Sequence, residues 1–261
     1  MKAIKHDLGD FKEISILPIA DLHLGDPRSD FKQIMTYIEY IKTTPNAFCI
    51  LNGDLMDAAI QSSIGDTYGA ALQPMEQLSQ CVKLFDPIKG KILCVLPGNH
   101  EFRVYRTDGL DLTLIMCNQL GIGECYADTG ALLFIRFGKN TERGKNHNHN
   151  RPVCYTIYAT HGSGGGRTEG GKVKRLADLA SIVDADIYIH SHTHLPVIMK
   201  QAFYRTSPAN STVQRCDRLF VNTGSTLEYG GYAEGQSYKP GSIETPIIRL
   251  DGTRKRMTAA L

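Results

Sequence analysis

Short apolar runs at residues 15–20, 47–51, 92–96, 153–159 and 187–189 punctuate the chain, and each gives way abruptly to polar residues. Runs of this length, bounded by turn residues, predict β-strands. Helical periodicity fills the gaps between the first three. Phe31, Ile34, Met35, Ile38 and Ile41 recur at helical spacing behind an Asp30/Gln33 capping pair. Met75, Leu78, Val82 and Phe85 do the same behind Pro74. A third helix is predicted over 110–120, with Gly121 as its stop. Beyond Gly121 strands dominate. Runs 131–137 and 153–159 read as a hairpin joined by the polar stretch 138–152, and a helix over 173–183 precedes 187–189. Residues 197–204, 219–222 and 246–250 are strand-like. No repeat or long linker interrupts this order. It predicts one domain over residues 1–261, made of sheet layers flanked by helices.

The residues at the end of each run carry the chemistry. The endings are Asp21-Leu22-His23, Gly53-Asp54, Gly98-Asn99-His100-Glu101, Thr160-His161-Gly162 and His192-Thr193-His194. Side chains on the ends of separate strands converge at one edge of a sheet, where such folds place their sites. Carboxylate, amide oxygen and imidazole without thiolate suit Mn, Zn, Fe or Mg in a catalytic setting; structural zinc favours cysteine. Seven or eight donors are too many for one ion and about right for two. Two divalent ions give +4; Asp21 and Asp54 subtract two and a bridging hydroxide one, leaving about +1, which favours an anionic substrate such as a phosphate ester.

In this order the five blocks resemble the calcineurin-like metallophosphoesterase superfamily. They span Asp21 to His194, about two-thirds of the chain. Each block alone is weak; together and in order they are specific. The resemblance implies a four-layer α-β-β-α sandwich, an α/β fold of two mixed β-sheets flanked by helices, with the metal site at the strand ends. It implies that Asp21, His23 and His194 hold a first metal, that Asp54 bridges, and that Asn99, His161 and His192 complete a second. His100 would be general acid or transition-state stabiliser, with Glu101 or another acid orienting it, while a metal-bridging hydroxide attacks phosphorus in line. One departure stands out: Ser191 occupies the place where the last block usually begins with Gly. Choosing His192 and His194 over His190 and His192 rests on the family pattern.

Within the superfamily, Gly53-Asp54-Leu55-Met56-Asp57-Ala58-Ala59 lacks the Arg typical of protein phosphatases, and His100 stands where lipid-precursor hydrolases often carry Arg. Asp21-Leu22-His23-Leu24-Gly25 looks most like the nuclease subunits of DNA-repair complexes. Those nucleases add a capping or DNA-binding region that 261 residues leave no room for. The expectation is a stand-alone phosphodiesterase using two divalent ions, Mn first, on nucleic acid or nucleotide. The alternatives are a nonspecific phosphomonoesterase and a catalytically silent scaffold.

Composition adds limits. A formal charge of +2 gives no global nucleic-acid or membrane signature, so an anionic partner must answer to a local field. No apolar stretch approaches a membrane span and none at the N-terminus makes a signal-peptide core. Seven cysteines, an odd number without a C-x-x-C pair and with Cys49, Cys94 and Cys154 inside strand runs, predict buried, reduced thiols and a cytoplasmic protein. Asp57 competes weakly as a ligand against a loop role. His147 and His149 lie in a polar hairpin loop, and Gly162 to Gly166 form a flexible loop without a Walker-type Lys-Ser/Thr. Arg103, Arg106, Arg167, Lys172, Lys174 and Arg175 come after ligand blocks and are candidates for substrate phosphates, Arg103 foremost. Tyr105 and Tyr229 are candidates for stacking on a base.

Overall fold

A computed structural model describes residues 1–60, 63, 69–141, 151–164, 166 and 168–261. Strands β1 (Lys2–Asp7), β2 (Glu13–Ile19), β3 (Ala47–Asn52), β4 (Ile92–Leu96), β5 (Gly130–Phe137), β6 (Val153–Thr160), β7 (Ile187–His190), β8 (Val197–Ser207), β9 (Thr212–Asn222), β10 (Ile247–Asp251) and β11 (Met257–Ala260) form two mixed sheets. One has the order β1-β5-β6-β7-β9-β8, the other β11-β10-β2-β3-β4. Helices α1 (Phe31–Thr43), α2 (Pro74–Phe85), α3 (Asn99–Asp108), α4 (Leu112–Leu120) and α5 (Glu169–Asp178) flank them.

Three apolar layers hold the four structural layers together. Ile14, Ile16, Ile50 and Leu96 of one sheet meet Leu133, Ile135, Ile157 and Val221 of the other. Ile34, Ile38, Leu78, Leu84 and Met116 of α1, α2 and α4 cover the outer face of the five-stranded sheet. Leu176 and Leu179, in and just after α5, pack on Tyr158, Tyr188 and Phe220 across the other. This is the α-β-β-α sandwich expected. Strands β2, β3 and β4 run parallel, as do β6, β7 and β9. Parallel pairing inside each sheet brings the C-terminal strand ends to one edge.

Several elements differ from the expectation. The helix predicted over 110–120 is α4, and a separate helix, α3, precedes it across Gly109, whose φ of 70° ends α3. Only Glu101 and Val104 of α3 are buried, so it shows almost no apolar periodicity. β1 and β11 escaped the hydrophobic reading because only one position of each is buried, so neither makes an apolar run. β9 begins seven residues before its apolar end, in the exposed half of a long hairpin with β8. The hairpin of β5 and β6 is as predicted. Cys154 is exposed, contrary to its apolar neighbourhood, because its position on β6 alternates away from buried Val153 and Tyr155.

Candidate metal centre

The residues just past β2, β3, β4, β6 and β7 are drawn into one cluster by loop-to-loop backbone bonds. Asp21 N–H donates to Gly53 O (3.0 Å) and His23 N–H to Asp54 O (3.1 Å), joining the first two loops. Ser191 N–H donates to His161 O (3.0 Å) and joins the last two. Asp21, His23, Asp54, His192 and His194 all adopt positive φ, a region that side-chain-bearing residues rarely occupy. Two glycines make the approach possible. A Cβ on Gly98 would stand 2.0 Å from Asp54 Oδ1, and one on Gly53 would meet Gly98 N at 2.6 Å. The Gly in each of these motifs is thus a packing requirement of its neighbour.

Three overlapping groups result: Asp21, His23 and His194; His23, Asp54 and His100; Asp54, His161 and His192. His23 Nε2 and His194 Nε2 face each other at 3.3 Å, and His194 Nε2 lies 3.1 Å from Asp21 Oδ1. His161 Nε2 stands 3.3 Å from Asp54 Oδ2 and 3.2 Å from Asn99 Oδ1. Asp54 belongs to two of the groups, as a shared ligand must. Its Oδ1 accepts from His100 N–H (2.8 Å), leaving Oδ2 toward the imidazoles. His161 Nδ1 contacts Asn52 O at 2.7 Å; a carbonyl only accepts, so Nδ1 carries the proton and Nε2 is left as a donor to a cation.

The electrostatics ask for positive charge. Burial favours neutral carboxyl groups, yet the surrounding imidazoles hold Asp54 well below its usual range and Asp21 below it. Burial opposes charge on His161, but Asp54 and then Asp21 lift its pKa to about 10. Burial, reinforced by His100, pushes His23 down to about 3; burial and then His161 push His192 to about 4. A proton on His161 therefore fills the electrostatic place of a cation. Asp21 Oδ1 is fully buried, with the His194 imidazole as its polar neighbour. Oxygen and nitrogen donors, buried carboxylates and facing Nε2 atoms fit a divalent metal.

His100 sits at the start of α3 with Nδ1 2.8 Å from Asp57 O and 3.1 Å from Asp57 Oδ1. Its Nε2 is 3.9 Å from Asp54 Oδ2, on the cluster side. Asp57 is thus the acid that orients His100, a role sequence reasoning did not give it. Burial would lower the His100 pKa, but Asp57 and Asp54 raise it. Glu101 serves otherwise. Its carboxylate accepts from the N–H of Gly98, Asp54, Leu55 and Met56 at 2.7–3.1 Å.

His190 does not join these groups; its Nδ1 meets Asn222 Oδ1 at 2.7 Å. Ser191 needs no glycine-like backbone: it lies outside the positive-φ residues, and its hydroxyl accepts from Asn52 Nδ2 (2.6 Å). Arg103 is half-buried, with its charge felt at both Asp57 and His100. Lys172 is tied by its ammonium to Thr193 O (2.8 Å), and Lys174 pairs with Asp178 on the surface. His147, His149 and Arg167 lie outside the described residues.

Residues 14–196 match the model of the calcineurin-like phosphoesterase family, and the chain belongs to that family. Its donor clusters imply binding of divalent metal. Comparison with curated protein sequences gives no match. Among solved structures, Vacuolar Protein Sorting 29 from Cryptosporidium parvum is 13% identical, covering 95% of this chain and 97% of its own, with a TM-score of 0.42. Vps29 complexed with zinc from Entamoeba histolytica is 12% identical over 95% and 97%, TM-score 0.38. GAP50, the anchor in the inner membrane complex of Plasmodium, is 8% identical over 95% and 84%, TM-score 0.49. Among the described residues no helix is long and apolar enough to cross a membrane.

Proposed function

We propose that this chain is a phosphodiesterase working with two divalent ions on nucleotides or nucleic acid. Asp21, His23 and His194 would hold one ion, Asn99, His161 and His192 the other, with Asp54 shared. Manganese suits the mixed oxygen and imidazole set, with zinc, iron and magnesium as alternatives. Divalent ions in such a site acidify water and draw charge from a phosphoryl group. The reaction adds water across a P–O ester bond, and the leaving oxygen needs a proton. His100 would give it: its Nδ1 meets Asp57, and its Nε2 lies on the cluster side, which supports a proton on Nε2 serving that oxygen. Asp57 holds the ring in that orientation and favours its charged form. All seven cysteines are free thiols, which supports a reducing, cytoplasmic setting.

The observation that carries this reading is the meeting of two buried carboxylates and four imidazoles from four loops, beside an acid-held His100 that follows a fifth strand. The test is hydrolysis by manganese-loaded protein of a chromogenic phosphodiester, its monoester analogue, and single-stranded DNA and RNA. Asp54→Ala and His192→Ala should lose both metal and turnover. His100→Ala should keep metal and lose about 10²–10⁴-fold in rate, most with a poor leaving group. Unchanged turnover in all three variants rejects the assignment. Bound metal with no turnover on any phosphoester favours the scaffold.

A further inference from the structure

Helix α3 carries two aromatic rings that the described core does not use. Phe102 and Tyr105 stack with centroids 5.6 Å apart and 26° between planes, while remaining 38% and 49% exposed. The Arg106 guanidinium lies 4.9 Å from the Phe102 centroid. Single exposed apolar side chains are ordinary; a stacked, exposed pair with a guanidinium on it is a ready-made platform for a flat, electron-rich ring.

The helical register brings the Phe102 side of this platform to the face of α3 that carries Asn99, with Tyr105 stacked on it further round the helix. Asn99 and His100 open α3 and both reach the cluster. Residues three and seven positions along a helix share a face with the first. Phe102 and Arg106 therefore share a face with Asn99, and Arg103 with His100. At ~1.5 Å rise per residue Phe102 stands about one turn, or ~5 Å along the axis, beyond Asn99, and Tyr105 one turn further, a span that a nucleoside on a phosphate held at Asn99 and His100 can cover. Arg103 and Arg106 supply the positive field that a chain of overall charge +2 lacks globally. The rings are already stacked on each other, so a third ring extends the stack with little further ordering.

We propose that Phe102 and Tyr105, flanked by Arg103 and Arg106, form a nucleoside subsite that stacks the base of a nucleotide phosphodiester whose phosphate lies between Asn99 and His100. The proposal rests on the phosphodiesterase reading for its chemistry and narrows its substrate class; binding can be measured apart from that reading.

Two diesters sharing the 4-nitrophenolate leaving group separate the contributions: thymidine 5′-(4-nitrophenyl) phosphate and methyl 4-nitrophenyl phosphate. The ratio of their kcat/KM values should fall about tenfold or more in Phe102→Ala/Tyr105→Ala, by the usual size of base–aromatic stacking, and should be kept in Tyr105→Phe. An unchanged ratio in the double variant overturns the subsite and leaves the phosphodiesterase reading standing. The chain has no tryptophan, so Phe102→Trp places a single indole in the pair. Thymidine monophosphate should quench its fluorescence saturably and inorganic phosphate should not. Equal quenching by both, or none by either, overturns the subsite. If wild type hydrolyses neither diester, the phosphodiesterase reading falls, and the quenching titration decides the subsite by itself.

Discussion

Asp21, His23, Asp54, His192 and His194 hold φ between 48° and 66°, where a residue other than glycine costs about 1–3 kcal/mol. Donor chemistry and relaxed backbone cannot both be had at these positions, and the loop-to-loop bonds keep the strained form in place. The titratable residues of the cluster give the ion-free protein a distinctive pH dependence. His161, lifted to about 10 from an unfolded value near 6.5, contributes stability that is complete below about pH 6.5 and lost as pH rises toward 10. His100 shifts in the same direction. His23 and His192, depressed to about 3 and 4, contribute stability present above about pH 6.5 and lost as pH falls through those values. Asp54 adds to the acid loss, because its carboxylate is favoured only in the fold. Melting temperature in excess chelator should therefore peak within about one unit of pH 6.5. Manganese should flatten the alkaline limb, since an ion replaces the His161 proton. A melting temperature that climbs steadily to pH ~9 without metal would contradict this assignment of protons.

At the level of elements, Glu101 decides how α3 meets the sheet. Four backbone N–H groups, one at the start of α3 and three in the loop after β3, end on its carboxylate. Glu101→Ala would leave them buried and unpaired, at about 1–3 kcal/mol each before water enters. The urea midpoint of ion-free protein should drop by the equivalent of roughly 4 kcal/mol. A loss below about 1 kcal/mol would mean that the loop satisfies these groups elsewhere. This contact was invisible in sequence, as was α3 itself, whose cap is Gly98 and whose exposed face is polar and aromatic. Strands β3 and β4 were legible because every position in them is buried, which makes them continuous apolar runs. Edge strands β1 and β11, half exposed, carry no such run. The site divides likewise. Donors placed directly after a strand could be read from motif order. The Asp57 partner of His100 depends on how the loop after Asp54 folds, and nothing in the spacing separates an orienting carboxylate from a capping one.

On the scale of the whole chain, the donor set is split between the sheets. Loops after β2, β3 and β4 bring Asp21, His23, Asp54, Asn99 and His100; loops after β6 and β7 bring His161, His192 and His194. Hydrogen bonds already cross this seam: Asn52 Nδ2 donates to Thr160 O (2.9 Å), and His192 N–H donates to Asp21 Oδ2 (3.1 Å). Ions held by both sets would clamp the layers, so their binding energy would appear as stability of the entire fold. Free metal at about a thousand times its dissociation constant adds about 4 kcal/mol. For a domain of this size that raises the melting temperature by about 10 °C. If residues 1–261 form one domain, calorimetry should show one transition that moves as a whole with manganese and scarcely moves in Asp54→Ala. Two transitions, only one of them responsive to metal, would mean that the halves unfold separately. The shared cluster would then be no clamp, because an ion bridging both sheets cannot be lost from one while the other stays loaded.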